Sequence, residues 1–205
     1  TISRFYRILL ALCGLVGVSI QIHDDGWHVA LLHRFVQYPR FSSLIFFIIY
    51  DFKKGDATTN TKLLRYKGGV TMAILITGVI YHILLAPITE PEKFWTLRNF
   101  LVHYIVPWGL VLDTLIFDAK KAFRLREPLY WSLFPLSYFA FALLTTGSKT
   151  AIPGAKDSPF AYFFINVNKF GWNKVMINVL VISAGYIAVG YLLFLLKKFI
   201  GRKPA

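Results

Sequence analysis

Residues 175–196 read Val175-Met176-Ile177-Asn178-Val179-Leu180-Val181-Ile182-Ser183-Ala184-Gly185-Tyr186-Ile187-Ala188-Val189-Gly190-Tyr191-Leu192-Leu193-Phe194-Leu195-Leu196, and Lys197-Lys198 follows at once. No charged side chain interrupts the run. A helix needs about 20 mostly apolar residues to cross ~30 Å of hydrocarbon, and this stretch suffices. The same criterion, applied back along the chain, selects residues 6–22, 29–50, 70–87, 100–117 and 129–146. His33, Arg34, Gln37 and Arg40 interrupt the first half of segment 29–50. Barrel strands would alternate over stretches of about ten residues, whereas these runs are continuous. The expected fold is all-α, a single polytopic domain of six transmembrane helices spanning residues 1–205.

Composition agrees with that reading. Of 205 residues, 56% are hydrophobic, 17% aromatic and 16% charged, and the mean hydropathy is +0.55. Soluble domains carry about 25% charged residues, so too little polar surface exists for a soluble basic fold. A nucleic-acid partner is thereby excluded in spite of a net charge of +13. The single Cys13 lies in an apolar run and excludes both a disulfide framework and a cysteine metal site. Arg4 and Arg7 precede the first apolar stretch, and no small-residue cleavage site closes it, so it is expected to be a retained anchor.

Fifteen of the 23 Lys and Arg fall in the N-terminal segment, the loops 51–69 and 118–128 and the tail; six fall in the remaining loops. By the bias of basic residues toward the cytoplasm, both termini are expected to be cytoplasmic in a multi-pass protein of the cell membrane, a prokaryotic inner or plasma membrane. Most of the net charge then marks direction. Loop 147–173 is apolar and aromatic, and is expected to lie on the outer membrane surface or to fold back over the bundle.

Ionisable residues inside a span are costly and therefore candidates for function. His33, His82 and His103 share the outer third of the bilayer, with Asn178 at a similar level. His33, Gln37 and Arg40 follow a helical repeat and share one face. Thr71, Leu75, Gly78 and His82 form a second stripe, and His103, Pro107, Leu110 and Thr114 a third with Asp113 at its edge. The sharper reading is a polar pocket in the outer half. The plainer reading gives each histidine a packing hydrogen bond and pairs Asp113 with Lys120, Arg124 or another basic residue near that interface. No zinc-protease, phosphate-loop or dinucleotide motif occurs, the histidines lack an acidic companion at their level, and neither metal nor cofactor is expected.

Residues 68–87 and 99–118, with Pro159-Phe160, Phe164-Ile165-Asn166-Val167 and the stretch 171–178, resemble the prokaryotic six-transmembrane relatives of the androgen-induced integral membrane proteins. Characterised animal members hydrolyse fatty acid esters of hydroxy fatty acids with a threonine in the second span and a histidine in the fourth. The resemblance implies that His103, in its His-x-x-x-Pro setting, is the general base. The family's threonine position falls here on Pro39 or Arg40, leaving Ser42 or Ser43 as the candidate nucleophile. His82, His33, Gln37, Arg40, Asn178 and Asp113 are candidate substrate-binding or orienting residues. The expected activity is a serine- or threonine-type hydrolase acting on a lipid or acyl ester drawn from membrane lipids. Still open are a non-catalytic lipid-binding member, a partner subunit or homo-oligomer, and, last, a small transporter.

Overall fold

The computed structural model describes residues 2–25, 60–145, 160 and 162–203. Among these the helices are joined by short loops and no sheet is present. Four helical stretches are long and apolar enough to cross a membrane: Ile2–Asp24, Thr61–Ile88, Leu97–Phe117 and Val167–Phe199. They correspond to the first, third, fourth and sixth expected spans. The second, 29–50, lies outside the described residues. The fifth is seen as two helices that break at Ser132.

The elements, in chain order, are α1 (Ile2–Asp25), α2 (Thr61–Ile80), α3 (Pro91–Phe94), α4 (Leu97–Phe100), α5 (Val106–Phe117), α6 (Glu127–Trp131), α7 (Leu133–Thr145) and α8 (Val167–Phe199). A π-helical turn, Tyr81–Leu85, extends α2, and a second, Leu101–Ile105, joins α4 to α5.

The helix α2 begins nine residues before the expected span because Asn60 caps it, its side-chain oxygen accepting from the Leu63 N–H at 3.2 Å. It is also the helix that the others surround: Lys67 to Leu75 are all buried. A helix apolar around its circumference belongs in a core, and three clusters meet on this one or its extension. Leu10, Val70, Ile74 and Leu110 join α1, α2 and α5. Leu64, Met72, Phe123, Trp131 and Tyr186 join α2 to α6 and α8. Ala142, Phe160, Phe164 and Val175 join α7 and α8, with Ile80 and Leu84 against them.

Gly68 shows how tight the second cluster is. A Cβ there would fall 2.5 Å from Cζ2 of Trp131, so only glycine admits that indole, whose Nε1 donates to the Arg65 carbonyl at 3.0 Å.

The described part of the long fifth-to-sixth loop folds back over the bundle. Phe160, Phe164 and Ile165 are buried, and α8 starts at Val167, eight residues before the expected span. Gly171, at φ +72°, interrupts its regular geometry, a conformation that glycine adopts without strain.

The start of α1 and the end of α8 lie at the same end of the bundle. Arg202 Nη2 lies 3.5 Å from Ser3 Oγ, and the Arg202 guanidinium sits over the Phe117 ring.

Candidate functional site

Both histidines of the third and fourth spans lie in π-helical turns, and each turn is followed by proline. Pro107 has no N–H to give to the carbonyl four residues earlier, which is that of His103; the helix instead widens so that the Val106 N–H reaches the Leu101 carbonyl. Ala86-Pro87 does the same to the turn holding His82, where the Ala86 N–H reaches the Tyr81 carbonyl. Single-turn π segments of this kind recur at functional sites.

The helices α2 and α5 run antiparallel along one seam. At its inner part Thr71 Oγ1 and Thr114 Oγ1 are hydrogen-bonded at 3.0 Å. Farther out, the carbonyl oxygen of His103 lies 2.5 Å from where a Cβ of Gly78 would stand. Gly78 thus lets α2 approach the carbonyl that Pro107 leaves without its usual donor.

Beyond Gly78, Tyr81 continues the buried stripe, and His82 is exposed. The Tyr81 ring stacks on the His103 imidazole, centroids 3.9 Å apart and planes 9° apart. His82 Nδ1 lies 3.1 Å from the Tyr104 hydroxyl, and Tyr104 presents its edge to Tyr81. One aromatic group therefore connects the two histidines. His103 Nδ1 is buried with no hydrogen-bond partner among the described residues.

The other candidate residues lie elsewhere. Asn178 donates through Nδ2 to the Phe164 carbonyl at 2.8 Å and so pins the returning loop to α8. Asp113 lies at the opposite end of the seam. His33, Gln37, Arg40, Ser42 and Ser43 lie outside the described residues. A small apolar groove of about 80 Å³ runs between α2, α7 and α8, lined by Ile76, Thr77, Ile80, Phe139 and Ile182 among others. It occupies a different side of α2 from the Gly78 and Tyr81 contacts with His103.

Around Asp113 stands an ionic centre: the expected pairing of Asp113 with a basic residue is present, but its partners are Arg7 and Lys67 rather than Lys120 or Arg124. Asp113 accepts from Arg7 Nε at 2.9 Å and from Lys67 Nζ. Asp118 accepts from Arg7 Nη2 at 3.0 Å and from Lys67 Nζ at 2.7 Å. Lys197 Nζ donates to the Asp118 carbonyl at 2.6 Å and to those of Leu115 and Ile200 at 3.2 Å, where the partial negative charge at the end of α5 favours a cation. All five side chains are at most 3% exposed.

Arg7, Lys67 and Lys197 look like loop and tail charges in the sequence, part of the direction signal. Asp118 was the available clue, an acid just past a span end. Isolated charges could not persist in such a place, because burying an unpaired ion costs several kcal/mol. The pairing offsets that cost and ties α1, α2, α5 and α8 together.

No group of three or more His, Cys, Asp or Glu side chains among the described residues could hold a metal ion. No protein-family model, curated protein or solved structure matches the chain.

Proposed function

We propose that this multi-pass membrane protein is a lipid-ester hydrolase related to the prokaryotic six-transmembrane branch of the androgen-induced integral membrane proteins, with His103 as its general base in the outer half of the bilayer. One observation carries the reading: the imidazole is fixed by Tyr81 and by a π-turn while its buried Nδ1 has no partner among the described residues. An unsatisfied buried polar atom costs about 1–3 kcal/mol. Such atoms in a native protein call for an explanation, and a catalytic role is one of them.

Ser42 or Ser43 is the proposed nucleophile. Its Oγ would attack the ester carbonyl carbon while its proton passes to the His103 imidazole. The tetrahedral oxyanion needs donors, for which His82 and Arg40 are candidates; Asn178 holds the Phe164 carbonyl and is assigned to the returning loop. Collapse would break the bond to the leaving alkoxide, which takes the proton from His103. A water, deprotonated by the same imidazole, then releases the fatty acid and restores the serine. Asp113 is assigned to the ionic centre and to no step of the chemistry. His33 and Gln37, spaced at helical intervals from Arg40 in the sequence, would line the pocket.

Pro39 and Arg40 stand where the family carries its threonine, and this supports a second reading, a lipid-binding protein or partner subunit without catalysis. A fluorophosphonate probe separates the two. Labelling of the wild type that disappears in the Ser42→Ala/Ser43→Ala double variant supports the hydrolase. Absence of labelling, with a lipid or a stoichiometric partner retained in mild detergent, supports the binding protein. The cytoplasmic placement of both termini is part of the proposal. Cysteine accessibility at Lys203 and at Glu92, from either side of sealed vesicles, tests it.

A further inference from the structure

We propose that residues 119–127, at the end of the bundle where α1 begins and α8 ends, form a docking platform for anionic phospholipid headgroups. The inference rests on the membrane character of the chain and is independent of hydrolysis. Charge is distributed unevenly there. Asp113 and Asp118 are consumed inside the bundle by Arg7 and Lys67, and Glu127 lies 3.6 Å from Arg65. Lys121, Arg124 and Arg126 are exposed, with no acidic partner among the described residues. At the opposite end Asp24 meets Arg98 and Glu90 meets Lys93. Lys169 and Lys174 are exposed there without an acidic partner among the described residues, but Asp24, Asp25, Glu90 and Glu92 equal Lys93, Arg98, Lys169 and Lys174 in number. Hence the net excess of positive charge among the described residues falls at the end that holds residues 119–127, just past the end of the span Leu97–Phe117.

The platform is built rather than loose. The Lys120 N–H donates to the Arg202 carbonyl at 2.9 Å and the Lys121 N–H to the Lys197 carbonyl at 3.0 Å. Arg65 Nε donates to the Ala122 carbonyl at 3.2 Å. Ala122 and Phe123 are buried in the core. Lys121 is held at φ +60°, a left-handed conformation that side chains seldom adopt. These restraints fix the backbone from which the three cations project. Leu125, 65% exposed, stands between Arg124 and Arg126, so the loop offers an apolar tip flanked by guanidinium groups. That pattern fits the boundary between headgroups and acyl chains. Guanidinium groups are suited to the phosphodiester by their two parallel donors.

The test titrates phosphatidylglycerol, and separately phosphatidylcholine, into the full chain purified in uncharged detergent, with the apparent Kd read from the unfolding midpoint. The wild type should prefer phosphatidylglycerol by at least about tenfold. Each basic residue near an anionic surface accounts for roughly fivefold in binding, so Lys121→Gln/Arg124→Gln/Arg126→Gln should weaken it by roughly a hundredfold. The charge-keeping Lys121→Arg/Arg124→Lys/Arg126→Lys variant should retain most of the preference, which separates lost charge from lost folding. Equal affinity for the two lipids, or unchanged affinity in the glutamine variant, would overturn the proposal. Displacement of the lipid by an equal concentration of inorganic phosphate would assign the platform to free phosphate and overturn it as well.

Discussion

The Tyr81 ring lies flat against the His103 imidazole, 3.9 Å between centroids and 9° between planes. This contact fixes the ring plane of the proposed base and covers one face of it. Tyr81→Phe keeps the stack and should leave stability within about 1 kcal/mol of wild type. Tyr81→Ala removes both the ring and the aromatic pair and should cost about 3–5 kcal/mol, as for other large core aromatics. Thermal unfolding in detergent distinguishes them.

Glycine at position 78 is a steric requirement. In Gly78→Ala the new Cβ meets the His103 carbonyl, a backbone atom that cannot rotate away. The variant should lose about 1–3 kcal/mol and any activity with it. Gly185→Ala is the control, because nothing among the described residues lies within 4 Å of a Cβ there; alanine should be neutral or stabilising by up to about 1 kcal/mol. Equal loss in both would show that helix propensity, rather than the seam, decides.

Pro107→Ala restores an N–H that can reach the His103 carbonyl and so favours a regular turn over the π-turn. Turnover should fall while the unfolding midpoint holds or rises, because the imidazole loses its aim and the helix gains a bond. A loss of both together would mean that Pro107 serves folding alone.

The ionic centre yields a paired prediction. Lys67→Met leaves Asp113 and Asp118 with Arg7 as the remaining side-chain cation in contact, and should destabilise by about 3–5 kcal/mol. Lys67→Met combined with Asp113→Leu removes a charge of each sign and should recover part of that loss. The recovery is measured as a coupling energy in a double-mutant cycle. Additive losses would contradict a direct Lys67–Asp113 interaction.

Apolar runs were enough to place four of the spans, because hydrocarbon imposes one length and one polarity on whatever crosses it. The stripes Thr71–Leu75–Gly78 and Pro107–Leu110–Thr114 were also readable, since a regular helix repeats its face. Beyond Gly78 the repeat leaves two choices, since positions i+3 and i+4 flank one face; it is Tyr81 at i+3 that is buried beside His103, while His82 at i+4 is exposed. The basic members of the ionic centre were hidden for another reason. Lys67 and Lys197 sit at span ends, where sequence cannot distinguish a lysine that reaches for the headgroups from one that turns inward to a carboxylate. Asn178 stands out by its depth, but its partner, the Phe164 carbonyl, belongs to a returning loop that no periodicity announces.

The role of His103 as base is tested most directly by ester turnover in the purified chain, compared with His103→Ala at matched helix content and unfolding midpoint. The account predicts a loss of about 10²–10⁴-fold, the usual contribution of a positioned general base. Undiminished turnover in a folded His103→Ala protein would contradict it.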